Sequence, residues 1–338
     1  MLNWIKTADW KKVFPYPDYL LKYEAMKRYL KNIFRLRLEE ATALVFLVPS
    51  ALVTFFAYAV FASSERVPRY ISGGVWRIAA AIAFFVIIYF SARLKHKSKI
   101  ILFIREVLPF VLVIAVYTNL HDTIAFVNSG NIAPFLIKLD KLIFGVNPVL
   151  WAEKFYNPIL TEIFSFCYLN FFWYSFTLGL LLYFGKNYNE FRTAMIGIVL
   201  LFYAGYFLYI IFPTIPPRIM LKPYFTKHLD GAFITKLSDR IVNVSFATSR
   251  AAFPSLHCGN TLLTLIYAFK YKRPYFYIFL PIGIGLILGT VYLRHHYVVD
   301  IFAGFALAII VFFAAPKITR QWQKWRDSVI SKPADNML

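Results

Sequence analysis

With 338 residues, of which 59 % are hydrophobic and only 16 % charged, the chain lacks the polar shell that a soluble domain of this size needs. A formal net charge of +20 would suit a nucleic-acid binder, but the Lys and Arg residues cluster in short segments between apolar runs, which excludes that class in favour of a membrane protein. The two cysteines, Cys167 and Cys258, form neither a metal-ligand spacing nor a disulfide framework, and Cys167, inside an apolar run, reads as a small buried hydrophobe.

In chain order, the segment up to Glu40 mixes nine Lys or Arg residues with Trp4, Trp10, Phe14, Tyr16, Tyr19 and Tyr23. It has no short apolar core followed by a small-residue cleavage site, so it reads as an amphipathic collar on the membrane surface rather than a cleaved signal. Apolar runs follow, each long enough to cross ~30 Å of hydrocarbon as a helix. They predict eight spans, at 41–62, 77–93, 104–120, 157–184, 193–212, 254–270, 275–293 and 297–315. Residues 131–154 are too interrupted to span and are expected to form short interfacial helices with Trp151 as an anchor. The expected organisation is N-terminal segment and accessory helices over 1–130, a helical membrane core over 131–316, and a basic tail over 317–338 in which Trp322 and Trp325 repeat the collar pattern.

Span parity sorts the loops. The N-terminal segment, Arg93 to Lys99, Lys186 with Arg192, Lys270 to Arg273, and the tail all fall on one side, and the positive-inside rule makes it cytoplasmic, with both termini inside. The opposite side receives 63–76, 121–156, 213–253 and 294–296. The loop 213–253 is itself basic, carrying Arg218, Lys222, Lys227, Lys236, Arg240 and Arg250, which is explained more simply by an anionic substrate than by a reversed topology.

Three polar clusters fall on that non-cytoplasmic face: Pro216-Pro217-Arg218 after the fifth span, Pro254-Ser255-Leu256-His257 opening the sixth, and Arg294-His295-His296 with Asp300 between the seventh and eighth. On a helix, His296 and Asp300 at i, i+4 share a face, so the carboxylate can fix the imidazole tautomer and leave the other nitrogen lone pair free as a nucleophile. A purely structural His–Asp pair at a helix end is the competing reading. His257, expected in a first helical turn after Pro254, is placed to give a proton to a leaving oxygen near a bound anion, or else is a cap residue. Arg218 presents a fork of donors matched to phosphate, with Arg294, Lys222 and Ser255 as further phosphate-binding candidates; any of the cations is equally able to touch a lipid headgroup. His295 is expected to point about 100° away from His296 and to be a neighbour only.

Phe253-Pro254-Ser255-Leu256-His257-Cys258-Gly259 and His296-Tyr297-Val298-Val299-Asp300, followed by Gly304, resemble the second and third signature motifs of the type 2 phosphatidic acid phosphatase superfamily. Within it, Phe212-Pro213-Thr214-Ile215-Pro216-Pro217-Arg218 and the stretch Leu139 to Gly145, with Pro148 and Trp151, are similar to elements of the inositol phosphorylceramide synthase branch. The resemblance implies an all-α polytopic membrane bundle with a six-helix core. It implies a phosphohistidine on His296, orientation by Asp300, proton transfer by His257, and neither metal nor cofactor. The implied partners are a phospholipid or other lipid phosphate and a lipid alcohol acceptor, or water in the phosphatases. Two phosphatase features are missing: Ile211 and Ile219 stand where the broad first motif has Lys and Pro, and Gly289-Thr290 where the third has Ser-Arg. That loss is shared with the synthase branch and favours phosphotransfer to a lipid over hydrolysis, with a lipid phosphate or polyprenyl diphosphate phosphatase as the alternative.

Overall fold

The computed structural model describes residues 36–61, 99–246 and 250–331, with isolated positions between 79 and 87. The expected span 77–93 and the collar before residue 36 lie outside the described residues, or nearly so. All regular elements among the described residues are helical, apart from a single parallel bridge between Thr214 and Ala251.

Helices α1 (Leu38–Phe61) and α2 (Lys99–Val127) contain the first and third expected spans. Helix α7 (Tyr188–Ile211) covers most of the fifth, α10 (Leu256–Tyr271) of the sixth, α11 (Arg273–Tyr292) of the seventh and α12 (Val298–Ser331) of the eighth. Among the described residues α7, α11 and α12 are long and apolar enough to cross a membrane. The fourth expected span is broken. Helices α5 (Pro158–Leu169) and α6 (Phe171–Phe184) meet at Asn170 with a 43° bend, and together they have the length and composition of one further span. The Asn170 side chain donates to the Phe166 carbonyl at 2.9 Å, a local competition with the helix ladder of the kind that bends helices.

Residues 131–154 form short helices, as expected of a segment too interrupted to span. Helix α3 (Ala133–Phe144) ends on Gly145 in the left-handed region (φ 72°), and α4 (Pro148–Trp151) starts on an Asn147 cap and continues into a 3-10 turn over Ala152–Phe155. Two more short helices, α8 (Pro217–Met220) and α9 (Phe233–Phe246), lie between α7 and α10.

Residues 39–317 make one compact unit. In it α10 packs against α11, α7 and α6, α5 against α11 and α9, and α2 against α7. Hydrocarbon cannot drive apolar helices together, so interhelical hydrogen bonds and close approaches matter here. Ser175 of α6 bonds Thr264 at 2.8 Å and accepts from Asn260 at 2.8 Å, both on α10. At the start of α1, α2 and α7 a part-buried ion network gathers: Arg105 grips Glu40 with bonds of 2.8 and 3.2 Å, and Arg192 reaches Glu39 at 3.1 Å and Glu106 at 3.6 Å. Of the second compact unit the described residues are 36–38 and 318–331; in it the Trp322 indole donates to the Leu36 carbonyl at 3.1 Å and lies 5.1 Å from the Trp325 ring.

Candidate active site

The three polar clusters are stitched together by backbone. The proline-rich segment after α7 runs beside residues 250–252: Thr214 N donates to the Arg250 carbonyl at 2.8 Å, and Ala252 N to the Thr214 carbonyl at 3.2 Å. Asn131 holds the same segment from the other side, its side-chain oxygen accepting from Ile215 N and Ala133 N at 3.1 Å each. Arg218 N then donates to the Arg294 carbonyl at 2.8 Å, Ser255 N to the Asp300 carbonyl at 2.9 Å, and the Tyr297 hydroxyl to the Ile215 carbonyl at 3.1 Å. Segments 36 or more residues apart in sequence are thereby locked in one register around a single pocket.

That pocket is lined by Tyr117, Tyr168, Pro216, Arg218, His257, His295 and His296, with Ala251 and Ala252. His257 Nδ1 lies 3.1 Å from His296 Nε2, and His257 Nε2 lies 3.1 Å from the Tyr168 hydroxyl. On its far side, His296 Nδ1 is 3.4 Å from Asp300 Oδ2, which also accepts from Tyr297 N at 3.0 Å. A hydrogen-bonded chain thus runs Asp300, His296, His257, Tyr168. Burial pulls the His296 pKa down to about 3, against a hydrogen bond to the Ala252 backbone that raises it and with the Arg218 charge lowering it further. The imidazole is neutral at ordinary pH, the state a nitrogen nucleophile needs.

Three geometric expectations are corrected. His296 and Asp300 do not share a helix: α12 begins at Val298, so His296 stands in the turn before it and Asp300 in its first turn. Helix α11 ends in a Schellman turn, with His295 N bonded to the Thr290 carbonyl at 2.8 Å, Arg294 N to the Val291 carbonyl at 3.0 Å, and Arg294 in the left-handed region at φ 65°. Helical spacing therefore does not apply to His295, which lines the same pocket and stacks on Tyr168 with ring centroids 4.4 Å apart. Pro254, expected as the first helical residue, precedes the cap: Ser255 is the N-cap of α10, and His257 remains in the first turn.

The expected phosphate-binding residues divide. Arg218 lines the pocket, where burial lowers the pKa of its guanidinium and leaves it poorly hydrated. Ser255 is fully buried, and its hydroxyl accepts from Cys258 N at 3.3 Å as a helix cap. Arg294 is turned away: it meets Glu153 at 2.6 Å, donates to the Lys227 carbonyl at 2.7 Å and lies 3.8 Å over the Phe225 ring. Lys222 is exposed on the 3-10 turn Lys222–Tyr224. Where the phosphatase motif carries Ser-Arg, this chain has a closely packed glycine and a buried threonine. A Cβ on Gly289 would lie 3.2 Å from the Phe164 Cβ, and Thr290 is fully buried with its hydroxyl bonded to the Ile287 carbonyl at 2.7 Å.

Tyr168 and Asp140 are contributors that residue patterns did not single out. The Tyr168 ring sits between His257 (5.0 Å) and His295 (4.4 Å). The fully buried Asp140 accepts from Val298 N and Val299 N at 3.0 Å each, capping the helix that carries Asp300. Only the position of Asp140 within the stretch Leu139 to Gly145 marked it in the sequence.

Helices fit to span a membrane, with a histidine pair, a carboxylate and an arginine gathered at one pocket, define an integral-membrane enzyme that acts on lipid phosphates. The PAP2 superfamily pattern matches residues 135–314, just over half of the chain, and the chain belongs to that superfamily. The phosphoinositol dihydroceramide synthase of Bacteroides thetaiotaomicron is 26 % identical over 262 residues, covering 68 % of this chain and 80 % of that protein. The inositol phosphorylceramide synthase catalytic subunit aur1 of Schizosaccharomyces pombe is 40 % identical over 67 residues, 20 % of this chain and 16 % of that protein. No solved structure matches.

Proposed function

We propose that this chain transfers a phosphorylated headgroup from a phospholipid to a lipid alcohol through a phosphohistidine on His296. The observation that carries the reading is the 3.1 Å contact between His257 Nδ1 and His296 Nε2 in a pocket that also holds Arg218. His296 Nε2 attacks phosphorus, the bond from phosphorus to the donor lipid's oxygen breaks, and His257 gives its proton to that oxygen. Arg218 neutralises the phosphoryl oxygens, and Asp300 holds the imidazolium formed on His296. In the second half, the acceptor hydroxyl loses its proton to His257 and attacks phosphorus, and the N–P bond breaks. The approach of substrate replaces the resting bond between the two imidazoles.

Transfer is favoured over hydrolysis by the absence of a second phosphate-gripping arginine, Thr290 standing in its place, and by the names of both relatives, which suggest phosphoinositol as the headgroup and a ceramide-type alcohol as acceptor. In this reading the site faces the non-cytoplasmic side, with both termini inside and about eight spans in all, supported by the basic segments that the sequence sets between the apolar runs. Purified protein given phosphatidylinositol labelled in the headgroup should yield labelled lipid product only when ceramide is added, and acid-labile, base-stable label on His296 when it is withheld. Release of labelled inositol phosphate to water at an equal rate without ceramide makes it a hydrolase rather than a transferase, and undiminished turnover by His296→Ala refutes the nucleophile.

A further inference from the structure

A second cavity opens beneath the first. It shares Tyr117 and His257 with the histidine pocket and continues between α2, α6, α7 and α10. From α2 it is walled by Phe110, Val113, Ile114 and Tyr117, and opposite them stand Phe171 and Phe202. Asn260 is its one amide side chain, and that amide donates to Ser175 within the bundle. At the rim Ile114 is 43 % exposed, and Val111 beside it 51 %, so the cleft opens sideways on an apolar flank of the helices. Helix α2 lies outside the residues 135–314 that match the superfamily.

We propose that this cleft holds one hydrocarbon tail of a lipid reacting at His296, and that α2 selects the length and shape of that tail. The inference rests on the catalytic reading above. Continuity between the cavities carries it: a lipid has a charged phosphate joined to an apolar chain, and here a pocket with an arginine leads directly into an aromatic and aliphatic cleft. Tyr117 stands at the junction, its ring stacked 5.8 Å from Tyr206, and so marks where the polar part of the ligand ends. A tail already dissolved in the bilayer gains nothing from leaving water. Selection therefore comes from how closely the chain packs, and single residues of the wall decide it. Ile114 governs entry, and Phe110, two turns from Tyr117 along α2, governs depth.

The test uses the full chain in nanodiscs, with Ile114→Trp and Phe110→Ala beside the unaltered protein. The turnover ratio of long-tailed to short-tailed phosphatidylinositol is measured, and separately that of long-tailed to short-tailed ceramide. Ile114→Trp should lower one of these ratios several-fold, and Phe110→Ala should shift the same ratio toward longer tails; which ratio moves tells whether the donor or the acceptor lies in the cleft. Phosphatidic acid with a diazirine midway along one tail serves as an independent probe and should label the stretch 110–117, with long-tailed but not short-tailed lipid competing. Ratios unchanged in both variants, or photolabel confined to other helices, overturn the inference. Labelling of α2 in a protein without turnover faults the catalytic reading and leaves the tail site standing; turnover with no label on α2 does the reverse.

Discussion

Asp140 and Val298, 158 residues apart, are joined by a 3.0 Å hydrogen bond from the Val298 amide to the Asp140 carboxylate, with a second of equal length from Val299. The first amides of a helix lack partners within it, so this carboxylate fixes where α12 begins and hence where Asp300 faces His296. Removing it leaves two part-buried donors without partners. Asp140→Ala should cost about 2 kcal/mol of stability and reduce turnover further than the loss of folded protein explains. Asp140→Asn, which keeps an acceptor, should fall between. Thermal unfolding in detergent, read beside activity per folded molecule, checks both, and a fully active Asp140→Ala would show that α12 is positioned by other contacts.

The motif glycines explain how two helices bearing opposite parts of the site come so close. A Cβ on Gly259 would lie 2.8 Å from the Gly304 carbonyl oxygen, and one on Gly304 would collide with the Ser255 carbonyl oxygen. Backbone cannot give way as a side-chain tip does. Gly304→Ala should therefore push α12 from α10, costing about 3 kcal/mol or more by overpacking and abolishing turnover. Gly283→Ala is the contrast: its Cβ would meet side-chain ends of Leu265 and Thr261 at 3.0 and 3.1 Å, and it should be tolerated. Equal melting temperatures for the two variants would refute this account.

Arg294 occupies the left-handed position of the Schellman turn, where glycine is usual and another residue costs about 1 kcal/mol. Its ion pair with Glu153 and its seat over Phe225 give a reason for a side chain there. Arg294→Ala loses those contacts and keeps the backbone cost, whereas Arg294→Gly loses both. The glycine variant should consequently be the more stable by about 1 kcal/mol. Both should retain more activity than Arg218→Ala, because Arg294 faces away from the pocket. Unfolding midpoints and initial rates for the three variants decide it.

Much of this site was legible before any coordinates. Pro254, His257, His296 and Asp300 stand in short stretches at the ends of apolar runs, and the order of those runs put them on one expected face. The errors came from applying helical spacing where the chain turns: Arg294 at positive φ swings His295 into the pocket, and the apolar run 157–184 conceals the break at Asn170 because its composition stays apolar through the bend. Asp140 and Tyr168 act across 158 and 89 residues of sequence, and nothing local to either records its partner.

Tyr168 separates stacking from hydrogen bonding in one residue. Its hydroxyl meets His257 Nε2 at 3.1 Å while its ring lies between His257 and His295. A hydroxyl there fixes which His257 nitrogen carries the proton. Tyr168→Phe keeps the ring and should lower kcat about tenfold with KM little changed. Tyr168→Leu also removes the stack and should lower kcat further. A Phe variant with unaltered kcat would make the tyrosine a packing residue only.

The acid behaviour of the protein should carry the mark of His296. In the unfolded chain this imidazole titrates near its ordinary value of about 6.5, whereas in the fold burial holds it down to about 3. Between those values the unfolded chain binds a proton that the folded one refuses, so stability should fall as pH drops below about 6.5 and be independent of this group above it. The nucleophile itself should stay neutral through pH 5. Nitrogen NMR of histidine-labelled protein in detergent micelles follows it directly: the His296 signal should keep the shifts of a neutral ring at pH 5. Arg218→Gln, by removing a nearby positive charge, should move its midpoint upward. A midpoint near 6.5 in the unaltered protein would mean that water reaches the imidazole, and the sheltered nucleophile would have to be abandoned.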